Sequence, residues 1–296
     1  MLFRSESLTI GLIGAKYSGK THYVGALVNR LFSRTAEDLN IGLTGVTDDT
    51  NKRYEREFRR PFIENHNELP MTVGSPPPLI YSVRCNLPDK NQFQSVNLAL
   101  YETAGENLED PETAREMVKY LSVAAGVMLL VDPLQIETVR QSLPASFRKP
   151  ALDPNATPCG IINNINSILE THKVDGVLSI PVAVVMTKCD ELRETGLIEP
   201  NRLWCMEDKR HRDYFHREWH EDMSGMMGEY LQHWDLAAYS AAVKQYPRHA
   251  FFGVSATGCA SEGGRFKFVS PWRVEDPLVW LLTELGVLPP KPGHDA

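Results

Sequence analysis

The sequence has few cysteines, and their spacing argues against two common kinds of site. The five cysteines stand at positions 85, 159, 189, 205 and 259, and no Cys-x-x-Cys pair occurs among the 296 residues. An odd, dispersed set is typical of reduced thiols and not of a disulfide framework or a zinc site. The cysteines therefore favour a cytoplasmic protein.

Long apolar runs and an excess of positive charge are also lacking. The longest apolar run, 124–131, is too short to span a bilayer, and the N-terminus lacks the apolar stretch of a signal peptide. The net charge is -7, which argues against direct binding to nucleic acid. We expect a cytoplasmic protein without a transmembrane segment, and its 42% of hydrophobic residues can form a sizeable core.

Segments with strand and helix patterns alternate along the chain. Apolar runs predict strands over 8–13, 127–131, 182–186 and 250–254, and the alternating segments 79–87 and 96–101 predict a hairpin. Helices are predicted over 20–32, near 110–122, through much of 133–178 and 196–246, and over 277–285, where Trp280 would anchor the last helix against the sheet. This order predicts an α/β fold, a three-layer open sheet of about six mostly parallel strands with helices on both faces.

We expect one domain over residues 1–288, with two insertions and a flexible tail. The first insertion covers about 34–78 and is polar and charged, and the second, helical insertion covers about 196–246. The tail is 289–296. In an open parallel sheet of this kind, ligands bind beyond the carboxyl ends of the strands.

The first predicted strand leads directly into a glycine-rich loop and then a helix. Residues 14–21 read Gly-Ala-Lys-Tyr-Ser-Gly-Lys-Thr, which is a phosphate-binding P-loop pattern. Lys20 would reach the β- and γ-phosphates, and Thr21 would ligate Mg²⁺ through its hydroxyl. The glycines and the helix N-terminus would direct amide hydrogens at phosphate. The residues expected to bind the triphosphate are Gly14, Ser18, Gly19, Lys20, Thr21 and His22.

A second motif follows the predicted strand 96–101. Residues 101–106 read Tyr-Glu-Thr-Ala-Gly-Glu. At this position a nucleotidase needs an acid that holds the water shell of Mg²⁺, which would be Glu102. It also needs a glycine whose amide senses the γ-phosphate, which would be Gly105.

Two further motifs follow the strands 182–186 and 250–254. The first is Thr-Lys-Cys-Asp at 187–190, where Asp190 can accept two hydrogen bonds from guanine ring nitrogens and the stem of Lys188 can lie over the base. The second is Ser-Ala-Thr at 255–257, where the amide of Ala256 can bond the guanine oxygen. The residues expected to bind the base are Thr187, Lys188, Asp190, Ser255, Ala256 and Thr257.

Taken together in this order, the four motifs resemble the P-loop GTPases of the Ras-like and translation-factor class, over residues 8–258. The resemblance implies a six-stranded sheet with one antiparallel edge strand, here 79–87, and GTP or GDP with Mg²⁺ as ligands. It implies hydrolysis of GTP to GDP, and a switch threonine that binds Mg²⁺ only in the GTP state. Thr72 is the candidate for that threonine, and Thr44, Thr47 and Thr50 are the alternatives.

The sequence departs from this class at three positions. Glu102 stands in place of the usual aspartate, and Glu106 in place of the glutamine that orients the attacking water. A carboxylate at position 106 can orient water, but it would lie close to a negatively charged γ-phosphate, so we expect slow hydrolysis. Lys16 stands where small GTPases have a small residue, and it is either a source of positive charge in cis or a solvated loop lysine. The candidate catalytic residues are Lys20, Glu106 and Lys16.

A narrower resemblance concerns the P-loop string, the Tyr-Glu-Thr-Ala-Gly-Glu string, Leu-Leu-Val-Asp-Pro-Leu-Gln at 129–135 and Val-Glu-Asp-Pro-Leu-Val-Trp-Leu-Leu at 274–282. These look like the bacterial double-GTPase proteins associated with conflict and defence gene clusters. That likeness implies a protein effector or a sister GTPase as partner. The sequence leaves two alternatives to a slow GTPase: a nucleotide-gated scaffold that binds GTP without appreciable hydrolysis, and a P-loop ATPase.

Overall fold

A computed structural model describes residues 6–15, 17–70, 76–87, 92–104, 119–147, 157–169, 173–174, 177–198, 215–234 and 236–288. Its centre is a seven-stranded sheet. In chain order the strands are β1 Glu6–Gly14, β2 Ile41–Gly45, β3 Leu79–Leu87, β4 Gln92–Ala104, β5 Ala124–Val131, β6 Lys173–Val174, β7 Val177–Leu178, β8 Val182–Met186, β9 His249–Gly253, β10 Ser261–Glu262 and β11 Arg265–Phe266. The pairs β6–β7 and β10–β11 form separate two-stranded hairpins.

The large sheet is mostly parallel, as the sequence predicts. Its spatial order is β2-β3-β4-β1-β5-β8-β9. Only β3 runs against its neighbours, β2 and β4, and the pairs β4–β1, β1–β5, β5–β8 and β8–β9 are parallel. All five residues of β8 are buried, because helices cover both faces of the sheet there.

Two expectations about the sheet need correction. The sheet has seven strands where six were expected, and the antiparallel strand 79–87 is not at its edge. The segment Ile41–Gly45 pairs with β3 on its outer side and forms the edge strand. Its pattern is weak because two of its five residues are glycine, which disfavours strands. For that reason the sequence pattern predicts a polar insertion there and not a strand.

Nine α-helices are present in the described part of the chain. They are α1 Lys20–Phe32, α2 Arg34–Asp38, α3 Asp48–Tyr54, α4 Glu137–Ser142, α5 Pro158–Leu169, α6 Cys189–Glu194, α7 Arg217–His233, α8 Ala237–Val243 and α9 Asp276–Glu284. One face of the sheet packs against α1 and α9, and the other packs against α4, α5 and α8. The helices predicted over 20–32 and 277–285 are therefore confirmed within one or two residues. The helix predicted near 110–122 lies mostly outside the described residues.

The first insertion contributes to the core as well as to the surface. Helix α3 continues into a π-helix, Glu55–Glu64, that contains Pro61. Phe58 and Phe62 on this π-helix are 2% and 0% exposed, so its apolar side belongs to the core. Its other side is a charged face, as expected, with the ion pairs Arg53–Glu57, Arg56–Glu57, Arg59–Glu55, Arg59–Glu64 and Arg60–Glu55.

The last helix, α9, is held against the sheet by its aromatic residue, as predicted. Trp280 is 5% exposed and contacts Phe252 of β9, with the ring centroids 5.9 Å apart. In the ranges that the structure describes, no helix has both the length and the apolar character needed to span a membrane.

Helix α1 and the π-helix approach each other closely at Gly25. A Cβ atom at Gly25 would lie 3.1 Å from Phe58 Cδ1 and 3.3 Å from Phe62 Cδ1, whereas a Cβ at Gly225 in α7 would meet nothing within 4 Å. We therefore expect Gly25→Val to lower the free energy of unfolding by about 1–3 kcal/mol through overpacking. The same change at Gly225 should alter it by about 0.5 kcal/mol or less. Urea unfolding measures both, and equal effects would contradict the packing described here.

Candidate functional site

The four sequence motifs all follow strands whose carboxyl ends meet at one edge of the sheet. Strands β1, β5, β8 and β9 are neighbours in the sheet and run parallel, so the loops that follow them lie side by side. Residues 101–104 of the second motif are the last residues of β4, and the register of β4 beside β1 places Ala104 opposite Gly14 at the start of the glycine-rich loop. The structure therefore brings the motifs to the position where open α/β sheets bind ligands.

The glycine-rich loop turns tightly between β1 and α1. Gly14 leaves no room for a side chain, because a Cβ there would lie 2.6 Å from Ser18 Oγ and 2.8 Å from the Leu130 carbonyl oxygen. Gly19 is in the left-handed region, with φ at 82°, and it caps α1. Tyr23 donates the first helical hydrogen bond, 2.9 Å to the Gly19 carbonyl. The amides of residues 20–22 therefore belong to the N-terminal turn, the part of a helix that attracts anions.

Lys20 is folded back over this loop. Its Nζ atom donates hydrogen bonds to the carbonyl oxygens of Gly14, at 2.6 Å, and Ala15, at 2.7 Å, and the residue is only 8% exposed. Ser18 Oγ is buried in the same loop and has no hydrogen-bond partner among the described residues. A positive charge and a buried hydroxyl thus lie together at the start of a helix, which is an arrangement suited to an anionic ligand.

Thr187 joins the glycine-rich loop to the loop after β8. Its hydroxyl donates to the Ser18 carbonyl at 2.8 Å and approaches the Val131 carbonyl at 3.3 Å. Its backbone amide donates to Val131 at 3.0 Å. The sequence assigns Thr187 to base binding, and the structure shows that its side chain holds three neighbouring loops in register.

Asp190 combines deep burial with an acceptor atom that lacks a partner. The residue is 4% exposed, and no hydrogen bond reaches its Oδ1 atom from the described residues. The Ser255 side chain lies beside the carboxylate, so the third and fourth motifs meet here. Burial raises the pKa of Asp190, and the neighbouring Ser255 hydroxyl and a backbone amide oppose that rise. A buried acceptor without a partner is costly, and a ligand with N–H groups would satisfy it.

Lys188 is fixed by a residue that the sequence did not single out. Its backbone is left-handed, with φ at 51°, which is unusual for a residue with a side chain. Its Nζ atom lies 2.7 Å from Asp132 Oδ2, and the Asp132 side chain is fully buried. Burial alone would lower the pKa of Lys188, but the Asp132 carboxylate raises it. The sequence position of Asp132 could have indicated a site residue, since Asp132 directly follows the buried strand β5 at the same edge of the sheet.

Ser255, Ala256 and Thr257 form a short turn after β9. Ser255 Oγ accepts a hydrogen bond from the Gly258 amide at 2.8 Å. Ser255 also exchanges two backbone hydrogen bonds with Trp272, at 2.8 and 3.1 Å, which fixes the start of the turn. The fourth motif is therefore a hydrogen-bonded turn next to Asp190, and its role in base binding stays a prediction.

His22 lies in the first turn of α1, but its side chain is used by the fold. Its Nε2 atom accepts a hydrogen bond from the Leu69 amide at 2.9 Å, and its ring packs edge-on against Phe62 and Phe266. Burial, with a smaller contribution from the charge of Lys188, lowers the pKa of His22 to about 4. The imidazole is therefore neutral at pH 7.

Several predicted site residues fall outside the described residues. These are Lys16, Thr72, Gly105 and Glu106, together with the tail 289–296. The backbone of Glu102 is described and pairs with Leu12, whereas its side chain is not described. The predicted roles of these residues stay predictions.

Two of the alternative switch threonines have structural roles in the fold. Thr47 caps α3, since its Oγ1 accepts from the Thr50 amide at 3.1 Å. The Thr50 hydroxyl accepts a hydrogen bond from the Ile80 amide at 3.4 Å. Thr44 is exposed on the edge strand β2. Among the residues described, no three His, Cys, Asp or Glu side chains cluster as a metal site, so the predicted Mg²⁺ set depends on Thr21 and on undescribed groups.

Comparison with known proteins finds a distant likeness. No family model matches the sequence. The chain is 23% identical over 311 aligned positions to a protein of Mycolicibacterium smegmatis (strain ATCC 700084 / mc(2)155) named "Putative ESX-1 scaffolding and assembly protein SaeC". The match covers 96% of this chain and 76% of SaeC. Identity at this level shows a similarity between the two chains and does not assign a family.

Glu191 follows Asp190 and gives the site a measurable pH dependence. Burial raises the pKa of Glu191 from 4.5 to about 7, and Lys188 partly offsets this. The folded protein therefore binds more protons than the unfolded chain between these values, and stability from this group is lost as the pH rises through 7. We expect Glu191→Gln to stabilise the protein relative to wild type by on the order of 2 kcal/mol at pH 8, and negligibly at pH 4.

Urea unfolding at the two pH values measures this difference in stability. Glu221→Gln, at an exposed position of α7, controls for the loss of one negative charge. A gain from Glu191→Gln that is the same at pH 4 and pH 8 would contradict the burial of this carboxylate.

Proposed function

We propose that this chain binds GTP and GDP with Mg²⁺ and hydrolyses GTP slowly, acting as a nucleotide-dependent switch. The observation that carries the proposal is the convergence of Lys20, Thr187, Asp190 and Ser255 at the carboxyl ends of adjacent parallel strands. One end of this site carries a positive charge at a helix N-terminus, and the other carries a buried carboxylate. That arrangement suits a ligand with phosphates at one end and ring N–H donors at the other.

The preference for guanine rests on the carboxylate of Asp190. Guanine presents two adjacent N–H donors, at N1 and at the 2-amino group, and a carboxylate with a free oxygen can accept from both. Adenine lacks this donor pair and would leave the buried Oδ1 atom unsatisfied. The Lys188 stem, held by Asp132, is the candidate surface for the base to lie against.

The phosphate end would use the groups that now bond within the loop. The Lys20 ammonium group already lies at the loop, where it bonds the Gly14 and Ala15 carbonyls. On binding, it would exchange these bonds for bonds to phosphate oxygens. Thr21 is the described residue that would contribute a hydroxyl to Mg²⁺, and Glu102 would act through water. When bound, the ion would neutralise charge on the phosphates. Glu106 would position the attacking water, and its negative charge is the reason for proposing slow turnover.

A second candidate function is a scaffold that binds GTP and responds to it without appreciable hydrolysis. The likeness to SaeC favours it, because the name of that protein refers to scaffolding and assembly. In both proposals the bound nucleotide changes the surface that a protein partner contacts. The rate of GTP hydrolysis separates the two.

Nucleotide specificity tests the role of Asp190. Asp190→Asn replaces one acceptor by a donor, so we expect the affinity for GDP to fall by about 10–100-fold. The affinity for xanthosine diphosphate should rise, because xanthine presents an oxygen in place of the 2-amino group. Competition against a fluorescent GDP analogue measures both, and Asp222→Asn, at an exposed position of α7, is the control. ATP displacing the probe from wild type as well as GTP does would contradict the guanine assignment.

Single-turnover hydrolysis tests the role of Glu106. The wild-type protein should release phosphate from bound GTP slowly, and Glu106→Gln should accelerate the release by about tenfold because it removes a negative charge near the γ-phosphate. Lys20→Ala should abolish the release and so exclude a contaminating phosphatase. Tight binding of GTP with no phosphate release from wild type would instead support the scaffold.

A further inference from the structure

The hairpin β10–β11 is joined to the turn that is proposed to bind the base. Ser270, which follows the hairpin, donates to the Thr257 carbonyl at 2.9 Å, and Trp272 exchanges two backbone hydrogen bonds with Ser255. Gly258 has φ at 82°, and a Cβ there would lie 2.6 Å from the Ser270 carbonyl oxygen. The two segments therefore pack too closely to move independently.

The same hairpin is joined to residues 65–68 in the first insertion. The Glu68 amide donates to the Gly264 carbonyl at 2.8 Å, and the Phe266 amide donates to the His66 carbonyl at 2.7 Å. The Arg265 guanidinium adds a bond to the Asn65 carbonyl at 3.1 Å. These bonds act like a short strand pairing between parts of the chain about 200 residues apart.

Leu69, the next residue of the insertion, contacts the phosphate end of the site. The Leu69 amide donates to His22 Nε2 at 2.9 Å, and His22 directly follows Thr21 in the first turn of α1. Phe266 of the hairpin also packs against this histidine, since its ring centroid lies 5.4 Å from that of His22 and 5.8 Å from that of Phe62. Only a neutral imidazole can accept this bond, and the lowered pKa of His22 keeps it neutral.

We propose that His22 is a positioning residue that, through Leu69 and the β10–β11 hairpin, couples the base-binding turn to the phosphate-binding loop. A core histidine would need only ring packing, whereas this one satisfies a backbone amide in a segment that is bonded to the β10–β11 hairpin. The inference rests on the proposed function, because a nucleotide can be affected by the coupling only if it contacts both the base-binding turn and the phosphate-binding loop. Its consequence is that contacts made with guanine strengthen the contacts made with phosphate.

A double-mutant cycle on the full chain tests the coupling. His22→Phe keeps an aromatic ring between Phe62 and Phe266 but removes the acceptor, and Asp190→Asn weakens the base end. We expect His22→Phe to raise the Kd of a fluorescent GDP analogue by about fivefold, and the two changes together to deviate from the product of their separate effects by about threefold or more. If the two ends were not coupled, the change in Kd for the double variant would equal the product of the two separate changes.

A matched control removes the same kind of bond elsewhere. Ser224 Oγ accepts from the Phe251 amide at 2.8 Å, so Ser224→Ala also leaves a backbone amide without its side-chain acceptor. When Ser224→Ala is combined with Asp190→Asn, the change in Kd should equal the product of the two separate changes. If His22→Phe fails to fold, Arg265→Ala, which removes the bond to the Asn65 carbonyl, takes its place and should also deviate from the product.

Hydrogen exchange gives a readout at the bridge itself. GDP should slow amide exchange in peptides covering both 65–70 and 255–272 of the wild type, and His22→Phe should abolish the slowing over 65–70. The coupling would be overturned if GDP binds, the two substitutions change its Kd by the product of their separate effects, and GDP leaves amide exchange over 65–70 unchanged. That result would leave the proposed function intact. No binding of GDP to the wild type would overturn the proposed function itself.

Discussion

The parallel alignment of β1, β5, β8 and β9 determines where the loops that carry the motifs lie. Because these strands run in one direction, the loops that follow them all emerge at one edge of the sheet. The loop after β8 is fixed to the glycine-rich loop by Thr187, whose hydroxyl donates to the Ser18 carbonyl, and Ser255 lies beside Asp190. Residues from distant parts of the sequence are thereby brought together at this edge.

Two polar atoms buried at this edge are unusual for a stable fold. A stable fold ordinarily satisfies each buried donor and acceptor, yet Ser18 Oγ and Asp190 Oδ1 have no partner among the described residues. Lys188 is held in a left-handed conformation by the geometry of its loop and by Asp132. Such local costs are typical of sites that are preorganised for a ligand.

The sequence predicted the central part of the fold well because buried parallel strands have a strong pattern. The runs 127–131 and 182–186 are continuous and apolar, and both lie within strands of the central sheet. The edge strand Ile41–Gly45 was missed because two glycines hide its alternation, and its burial depends on helices from other parts of the chain. At the site, the positions of Lys20, Thr187 and Asp190 followed from their motifs. The partnership of Lys188 with Asp132, and the bridge from His22 through Leu69 to the hairpin, depend on tertiary contacts that no local pattern encodes.

Calorimetric titration of the full chain with GDP, GTP and ATP in the presence of Mg²⁺ tests guanine-specific binding. We expect GDP and GTP to bind at one site per chain, ATP to bind at least about 100-fold more weakly, and Lys20→Ala to remove the binding. Absence of binding by both guanine nucleotides, or equal binding of ATP and GTP, would contradict guanine-specific binding.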